Sequence, residues 1–404
     1  MQKLVPDFLD YDIYEEDLNL EFPLDVFDER VIEFLNDVAK QILRDTRINK
    51  IPPITALAFW MRKSNIRAIV KENEHLKKTT VFVSGPLGNV FHICPSNVDT
   101  MFLYSLAISM LMGNRNILRI SERVDDPAIY EIFAIINQVL QKEEHNACKD
   151  FIWMYKYGHE DKWNTAFSKL AQARIIWGGD QTVKHFKQIT VNPRSKDLVF
   201  ADRVSLSIIK ADHFISASEE NKQTFVKLFY NDAYTFDQKG CSSPQSIFVL
   251  HDGDISEFIE DFGNRLGKLA EQEYNHDDAS MASLKFNQLA SDAIDSNITS
   301  YKNHTVNLLL AKAAKEKTLH SCGAGYFYLY QLESLRALDK YINPQIQTIT
   351  YYGLSDNELN SIVDLSKGKG VDRIVPVGQG LNFHYIWDGY NLPYELCNLK
   401  SVIK

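Results

Sequence analysis

Short β-branched and aromatic segments alternate with helical segments along most of this chain, and this alternation restricts the fold more than any other feature. Strands that alternate with helices of this length pair in a parallel sheet, because each helix carries the chain back across one face of the sheet. A second alternating region runs from residue 205 to about residue 352. We therefore predict an α/β fold with two lobes, each built on a parallel sheet. In the first region, the predicted strands are 79–83, 90–93, 116–120, 151–155 and 173–177, and the predicted helices are 98–112, 127–141 and 163–171.

The composition is that of an ordinary globular protein, and it disfavours several classes of function. Of the 404 residues, 45% are hydrophobic, and 44 basic residues against 53 acidic ones give a net charge of −9. Such a chain is a poor partner for nucleic acid or for an anionic membrane. The longest apolar run, residues 101–112, is too short to span a bilayer, so we expect no stable membrane insertion. The five cysteines are widely spaced and fit neither a disulfide framework nor a zinc site, which favours a cytoplasmic protein without a bound metal.

One of the five cysteines has the surroundings of a nucleophile. Cys241 follows Gly240, precedes Ser242 and Ser243, and leads into an apolar run predicted to be a strand at 245–250. Glycine permits a sharp turn and small neighbours leave a thiol accessible, and a reactive thiolate requires that access. Because most single cysteines in globular proteins are buried and inert, the motif alone leaves the structural alternative open.

Asn97 follows a predicted strand that ends at Pro95. Residues at the carboxyl end of a parallel strand face the ligand crevice, where a side-chain amide can donate a hydrogen bond to a developing oxyanion. The alternative is that Asn97 only caps the helix that begins after it.

Arg119 and Ser121 lie at the end of the strand predicted at 116–120. Arg119 alternates with apolar neighbours, and a guanidinium in this position suits a phosphate or a ribose. The alternative is a solvated charge beside Glu122.

Trp177, Gly178 and Gly179 lie between a predicted strand and a predicted helix. This geometry offers backbone N–H groups at a helix N-terminus to a pyrophosphate. Paired glycines after a strand are common, so the motif is weak when it is taken alone.

Five motifs occur in order along the chain. They are Cys94-Pro95-Ser96-Asn97-Val98-Asp99-Thr100-Met101-Phe102, Gly113-Asn114-Arg115-Asn116, Trp177-Gly178-Gly179-Asp180, Gln238-Lys239-Gly240-Cys241-Ser242-Ser243-Pro244-Gln245 and Trp387-Asp388-Gly389. In this order they resemble the aldehyde dehydrogenase superfamily, and within it the long-chain acyl-CoA reductases of bacterial luminescence operons, the LuxC family. The likeness extends from about residue 80 to the end, whereas the first 75 residues share only a helical character.

The resemblance implies a fold and a reaction. The fold is that of an aldehyde dehydrogenase, with a Rossmann-like cofactor domain and a catalytic cysteine domain. Cys241 would attack the thioester carbonyl of an acyl-CoA, and the Asn97 amide and the backbone N–H of Cys241 would hold the oxyanion. Reduction of the resulting acyl-enzyme would release a fatty aldehyde.

The resemblance also implies NADPH as the cofactor, bound across residues 177–179. Arg119, Ser121 and Arg123 would favour its 2′-phosphate. Glu122 falls where NAD-preferring members of the superfamily carry an acid, and a carboxylate there would repel that phosphate.

One residue departs from the pattern of the aldehyde-oxidising members, which carry a glutamate that activates the hydrolytic water. Phe200 occupies the position of that glutamate. Without a general base, attack of water on an acyl-enzyme should be slow, and this favours reduction over oxidation. Asp202 would place a carboxylate at the position of that glutamate only if the alignment with the superfamily shifted by two residues.

The resemblance divides the chain into four parts. We predict a helical N-terminal part of the cofactor lobe at 1–75, a Rossmann-like NADP-binding domain at 76–204, a catalytic thiol domain at 205–370, and a C-terminal return segment with an oligomerisation strand at 371–404.

The main functional hypothesis is an NADPH-dependent, acylating aldehyde dehydrogenase that reduces a long-chain acyl-CoA or acyl thioester. One alternative is a non-catalytic or partner-dependent subunit of a complex with an acyl-protein synthetase. Another is an aldehyde-oxidising dehydrogenase, which Phe200 disfavours. The resemblance further implies a homo-oligomer, and the sequence leaves the acyl chain length and the acyl donor open.

Overall fold

The computed structural model of the chain describes residues 1–14, 22–94, 100–274, 279–295, 299–302, 305–310 and 321–403. The chain forms two compact units: unit 1 comprises Met1–Ala201 and Phe383–Lys404, and unit 2 comprises Asp202–Asn382. The chain thus leaves unit 1 once, builds unit 2 and returns. In the described ranges, none of the helices combines the length and the apolar character needed to cross a membrane.

Unit 1 contains the first alternating region and the C-terminal segment. Its elements in chain order are β1 (Gln2–Val5), α1 (Glu29–Arg44), α2 (Pro52–Trp60), α3 (Lys63–Glu72), β2 (Phe82–Pro86), β3 (Asn89–Ile93), α4 (Met101–Leu111), β4 (Arg115–Ser121), α5 (Pro127–Leu140), β5 (Ile152–Tyr157), α6 (Asp161–Leu170), β6 (Ala173–Trp177), α7 (Asp180–Gln188) and β7 (Lys196–Phe200).

The main sheet of unit 1 has the order β1-β5-β4-β3-β6-β7 in the described residues. Strands β3 to β7 pair in parallel, whereas β1 pairs with β5 antiparallel. The chain builds from β3 through β4 to β5, and then continues with β6 on the other side of β3. Such a reversal is a topological switch point, and it leaves a crevice outside the carboxyl ends of β3 and β6.

The burial of α4 follows from its sequence. All 11 residues of this helix are buried, and apolar side chains occur on every side of it. A helix without a polar face is stable only when it is covered all round, so α4 lies in the interior of unit 1.

Unit 2 contains the second alternating region. Its elements are β8 (Val204–Lys210), α8 (Ala211–Ile215), α9 (Glu219–Tyr234), β9 (Pro244–Leu250), α10 (Ser256–Glu273), α11 (Ala279–Asp295), β10 (Thr299–Lys302), β11 (Asn307–Leu310), β12 (Tyr326–Leu332), β13 (Ile346–Tyr352), α12 (Asp356–Ser366) and β14 (Arg373–Pro376). The chain then returns to unit 1 with β15 (Ile386–Trp387), β16 (Tyr390–Asn391), α13 (Leu392–Glu395) and β17 (Cys397–Ser401).

The sheet of unit 2 has the order β10-β11-β12-β9-β8-β13-β14 in the described residues. Only its edge strand β10 pairs antiparallel among these strands. A cluster of phenylalanines from α8, α9 and α10 contributes to the core on one face, and its members are Phe214, Phe225, Phe229, Phe258 and Phe262. These two sheets confirm the predicted α/β fold.

The structure differs from the sequence prediction near residue 80. The predicted strand 79–83 is shifted to Phe82–Pro86, and this strand pairs antiparallel with β17 rather than joining the main sheet. Strand β1 was not predicted at all. The partners of both strands lie far along the chain, so neither hydrophobic period nor local turn chemistry indicates them.

His92 is fully buried in β3, and its surroundings keep it neutral. Its Nδ1 lies 3.1 Å from Oγ of Ser105, and its Nε2 lies 3.0 Å from Oδ1 of Asn116. Burial lowers the pKa of His92 from 6.5 to about 4. Because the pKa is lower in the folded state, His92 contributes stability above pH 6.5 that is lost as the pH falls from 6.5 through 4.

We expect this histidine to make unit 1 sensitive to acid. At about 1.4 kcal/mol per pKa unit, the free energy of unfolding falls by about 3 kcal/mol once the pH is below the folded pKa of about 4, and by about 2 kcal/mol at about pH 5. All five tryptophans (Trp60, Trp153, Trp163, Trp177 and Trp387) belong to unit 1, so their fluorescence reports its unfolding in urea. The urea midpoint should fall between about pH 7 and about pH 5 in the wild type and change less in His92→Gln. Equal pH dependence in the two proteins would contradict the assignment.

Candidate active site

A cavity of about 540 Å³ lies at the switch point of the unit 1 sheet. The ends of β3, β4 and β6 and the first turns of α7 form its walls. All six residues predicted to contact the cofactor line it, namely Arg119, Ser121, Arg123, Trp177, Gly178 and Gly179. Five polar lining residues were not predicted, and they are His159, Asn164, Gln181, Thr182 and His185. A crevice outside the carboxyl ends of parallel strands is where doubly wound sheets bind nucleotides.

Arg119 brings a buried positive charge to this cavity. The residue is 7% exposed, its Nη2 donates to the carbonyl oxygen of Gly158 at 2.8 Å, and its guanidinium lies 5.3 Å from the ring centroid of Tyr157. Its Nε–H is buried, and no described residue accepts a hydrogen bond from it. Buried donors are nearly always paired, so this group fits an acceptor such as a phosphate or a ribose oxygen.

Glu122 packs beside the backbone of Gly158. A Cβ atom on Gly158 would lie 2.7 Å from Oε2 of Glu122, so the carboxylate in this position lies directly against the glycine. In contrast, Arg119, Ser121 and Arg123 line the cavity. Glu122, the acid that was expected to repel a 2′-phosphate, therefore lies against Gly158 in unit 1.

The turn between β6 and α7 supplies backbone groups to the cavity. Gly178 has a φ of 155°, and a Cβ atom there would lie 3.0 Å from Cγ2 of Thr182. Gly179 is the N-cap of α7, whose first residue is Asp180. A glycine turn before a helix N-terminus directs N–H groups at a bound anion, which fits the pyrophosphate of a dinucleotide.

Phe200 forms an aromatic pair with Trp177. The two rings are stacked with their centroids 4.0 Å apart, and Phe200 is 3% exposed. The pair joins the ends of neighbouring strands, since Trp177 and Phe200 are register partners in β6 and β7. The residue at the predicted position of the glutamate is therefore a packed aromatic side chain.

Asn97 lies outside the described residues, so its part in an oxyanion hole stays a prediction. The described chain resumes at Thr100, immediately before α4.

Cys241 lies in unit 2, in the loop between α9 and β9, and is half-buried. Its Sγ accepts a hydrogen bond from Nε2 of Gln347 at 3.2 Å, and its carbonyl oxygen accepts one from Oγ of Ser205 at 2.6 Å. The loop thus holds the thiol at the amino ends of β8, β9 and β13. Neither Gln347 nor Ser205 was predicted, because nothing in their local sequence marks them.

Gln238 fixes the shape of the loop that carries Cys241. Its buried side chain donates to the carbonyl oxygens of Pro244 at 3.2 Å and Tyr326 at 3.1 Å, and accepts from the N–H of Gly325 at 2.7 Å. Gln238 and Asp237 both have positive φ, of 60° and 51°. Such a backbone is unfavourable for residues other than glycine, and both the side-chain bonds of Gln238 and its N–H, which donates to the carbonyl oxygen of Ala233 at 2.9 Å, stabilise it.

A second loop of unit 2 packs on the other side of Gly240. The buried carboxylate of Asp232 accepts from the N–H groups of Gly378 at 2.6 Å and Gly380 at 3.0 Å. Leu381 follows, and its Cδ2 lies 3.8 Å from where a Cβ of Gly240 would be. Burial raises the pKa of Asp232 to about 6 against the opposing effect of these hydrogen bonds.

The other four cysteines are poor nucleophiles. Burial raises the pKa of Cys148 to about 12 and that of Cys322 to about 11. Burial also raises the pKa values of Cys94 and Cys397. A thiol must ionise before it attacks a carbonyl, so these four are disfavoured at neutral pH.

One group of side chains in the described residues has its oxygen and nitrogen atoms close enough to surround a cation. Asp37, Glu144 and His145 form it. However, the ammonium groups of Lys40 and Lys142 lie 3.0 and 3.2 Å from the Asp37 carboxylate and pair with its charge. The arrangement is that of a surface ion-pair cluster rather than a metal centre.

The fold is that of the aldehyde dehydrogenases. The lactaldehyde dehydrogenase from Escherichia coli aligns with a TM-score of 0.64 and 13% identity over 94% of this chain and 87% of that one. An oxidoreductase from Marinobacter aquaeolei aligns with a TM-score of 0.66 and 11% identity over 93% of this chain and 84% of that one. The 1-pyrroline-5-carboxylate dehydrogenase from Thermus thermophilus aligns with a TM-score of 0.65 and 11% identity over 93% and 81%. At these identities the likeness shows the fold alone.

The sequence identifies the family within this fold. The profile of the family described as acyl-CoA reductase (LuxC) matches residues 27–398. The chain therefore belongs to the LuxC family of acyl-CoA reductases, as its motifs predicted. Among curated proteins, no significant match to the sequence is found.

Proposed function

We propose that this protein reduces a long-chain acyl-CoA to the fatty aldehyde, with NADPH as the reductant and a thioester on Cys241 as the intermediate. The observation that carries the proposal is the half-buried Cys241 thiol, which accepts a hydrogen bond from a side-chain amide in a chain of the acyl-CoA reductase family. Two of the five cysteines are half-buried. The sulfur of Cys241 accepts a hydrogen bond from a side-chain amide, whereas the sulfur of Cys322 donates to the carbonyl oxygen of Gly323 at 3.8 Å. Access and a donor to the sulfur both favour a reactive thiolate.

The first half of the reaction is a thioester exchange. The Cys241 thiolate forms a bond to the carbonyl carbon of the acyl-CoA, and the π electrons move to the carbonyl oxygen. When the carbonyl re-forms, the bond to the CoA sulfur breaks, and CoA leaves as a thiolate that takes a proton from solvent. Because one thioester replaces another, the protein contributes mainly by positioning the sulfur.

Asn97 is the proposed donor to the oxygen that carries charge in this step. The backbone N–H of Cys241 would donate to the same oxygen. A donor aimed at a developing oxyanion is typically worth about 2.7–4 kcal/mol in the barrier.

NADPH supplies a hydride to the carbonyl carbon of the acyl-enzyme when it is bound. Arg119, Ser121 and Arg123 are the proposed contacts of its 2′-phosphate, and the β6–α7 turn is the proposed contact of its pyrophosphate. What supports the phosphate contact is the buried Nε–H of Arg119 in a cavity-lining residue. Once the carbonyl carbon was reduced, the oxyanion of the thiohemiacetal would re-form the C=O bond, the C–S bond would break, and Cys241 would leave as a thiolate with release of the aldehyde.

Phe200 supports reduction over aldehyde oxidation. By the resemblance, Phe200 holds the position of the glutamate of the oxidising members, and its ring is stacked on Trp177. A phenyl ring takes no proton from water, so hydrolysis of the acyl-enzyme should be slow.

Mass spectrometry of the intact protein tests the proposal directly. We expect long-chain acyl-CoA to add one acyl mass, peptide mapping to assign it to Cys241, and NADPH to remove it with release of aldehyde. Removal by water alone at the same rate would indicate a hydrolase or an oxidising enzyme. Absence of an adduct with every acyl-CoA would favour the alternative, a subunit that receives its acyl group from an acyl-protein synthetase or has no catalytic role.

The proposed cofactor contact leads to a prediction about Arg119. In Arg119→Met, the affinity for NADPH should fall about 10- to 100-fold, because a charge-assisted hydrogen bond contributes about 1.5–3 kcal/mol. NADH, which lacks the 2′-phosphate, should be affected less. Quenching of tryptophan fluorescence, to which the cavity residue Trp177 contributes, measures both affinities.

Lys184 offers a matched control for this prediction. It is an exposed cation on α7 outside the cavity lining, so Lys184→Met removes the same charge without touching the site. An equal loss of NADPH affinity in both variants would contradict a direct contact, because it would mean that Arg119 acts only through long-range electrostatics.

We further propose that the protein works as a homo-oligomer and associates with an acyl-protein synthetase. The family supports both proposals. Light scattering of the purified protein and co-purification with a synthetase test them separately.

A further inference from the structure

Gln347 lies at the amino end of β13 and is almost completely buried. It is 2% exposed, and its Nε2 donates to the Cys241 sulfur at 3.2 Å. Oγ1 of Thr348 donates to Oε1 of the same amide at 3.2 Å. This second bond orients the amide, because its oxygen faces the hydroxyl and its NH₂ group is left to face the thiol.

The sheet fixes the distance between the amide and the sulfur. Oγ of Ser205 donates to the carbonyl oxygen of Cys241 at 2.6 Å and accepts from the N–H of Thr348 at 3.0 Å. One buried hydroxyl on β8 therefore ties the backbone beside the nucleophile to the backbone beside Gln347. Such a bridge holds both partners in register without the entropy cost of ordering them at each turnover.

An amide N–H favours one protonation state of the thiol. It donates a hydrogen bond and takes no proton, so Gln347 does not act as a general base. A donor at this distance stabilises a thiolate more than a thiol, because the acceptor then carries a full charge. The thiolate is the form that attacks a carbonyl carbon.

We propose that Gln347 is a catalytic residue that stabilises the thiolate of Cys241 and fixes the direction of its sulfur. This inference rests on the proposed function, in which Cys241 is the nucleophile. The thiolate exists twice in each cycle, before attack on the acyl-CoA and again when the thiohemiacetal collapses. Gln347 therefore accelerates both the acylation and the release of aldehyde.

The test measures the ionisation of Cys241 without any substrate. Iodoacetamide alkylates the thiolate, and peptide mapping separates Cys241 from the other half-buried cysteine, Cys322. In Gln347→Leu we expect the pH midpoint of Cys241 alkylation to rise by about one unit and the rate at neutral pH to fall about tenfold. Gln345→Ala serves as the control, because Gln345 is an exposed residue immediately before β13.

A second variant separates activation from packing. Gln347→Glu keeps the size of the side chain but places a carboxylate beside the sulfur, so the alkylation midpoint should rise further than in Gln347→Leu. Alkylation profiles equal to the wild type in both variants would overturn the proposal. If Gln347→Leu fails to fold, Gln347→Met takes its place, because methionine has a similar length and no N–H donor, whereas a carboxylate beside the sulfur raises the midpoint whether or not the native amide stabilises the thiolate.

The outcome is distinguishable from that of the proposed function. Alkylation requires no acyl-CoA, so a shifted midpoint in a protein that forms no acyl adduct would support Gln347 and contradict the reductase proposal. An acyl adduct on Cys241 with unchanged alkylation profiles in both variants would support the reductase proposal and contradict the role of Gln347.

Discussion

Cys241→Ala is expected to form no acyl adduct and to lose acyl-CoA reduction by at least about 1000-fold, because the covalent step has no other nucleophile suited to it. Burial raises the pKa of the other half-buried thiol, Cys322, to about 11, so it should not substitute for Cys241. Cys241→Ser should be nearly as inactive, since a hydroxyl ionises far less readily than a thiol. Aldehyde formation from acyl-CoA and NADPH measures all three proteins.

Cys322→Ala is the matched control for this experiment. It removes a thiol of similar exposure from the same unit, and it should keep the acyl adduct and the activity within about twofold of the wild type. NADPH binding by Cys241→Ala should also be unchanged, because the proposed cofactor contacts belong to unit 1. Substantial aldehyde formation by Cys241→Ala, with the control active, would require another nucleophile or a direct hydride transfer to bound acyl-CoA.

The α/β fold could be predicted from the sequence because the pattern of each strand and helix is contained in a short segment of the chain. Each strand and helix of an α/β unit has its own period, and the handedness of the crossovers permits few arrangements. Strand β1 shows where this reasoning fails. It has four residues, and its pairing with β5 is decided by contacts that no local pattern carries.

The cavity of unit 1 follows from the same local information. The sequence predicts that Arg119 and Trp177 lie at the ends of strands, and the carboxyl ends of parallel strands converge at one edge of the sheet. Their presence in a single cavity is therefore a consequence of topology. That they bind NADPH stays a prediction, and so does the role of Asn97, which lies outside the described residues.

The surroundings of Cys241 were not accessible in this way. Gln347 lies 106 residues further along the chain than Cys241. The two residues meet because β9 and β13 lie on either side of β8 in the sheet. The hydrophobic pattern of a sequence predicts where strands and helices occur. It does not predict which strands are neighbours in a sheet. Burial of the other thiols is likewise a tertiary property, so the sequence marks Cys241 by its small neighbours and its family motif, and not by the burial of the other four.

Gln238→Ala is the second substitution for which we expect a large effect, on both stability and activity. It leaves the buried N–H of Gly325 and the carbonyl oxygens of Pro244 and Tyr326 without this partner. Each buried polar group that loses its partner costs about 1–3 kcal/mol, so the free energy of unfolding should fall by about 3 kcal/mol or more.

The activity should fall about 100-fold even where unit 2 remains folded, since a displacement of about 1 Å at a nucleophile has that effect. Hydrogen exchange of the peptides that contain residues 238–250 and 321–332, together with the rate of acylation, measures both consequences. Gln331→Ala is the control, because Gln331 also donates to two carbonyl oxygens in unit 2 but is exposed, and it should change neither. Wild-type acylation by Gln238→Ala would mean that the backbone holds Cys241 in place by itself, and that the buried amide only stabilises the fold.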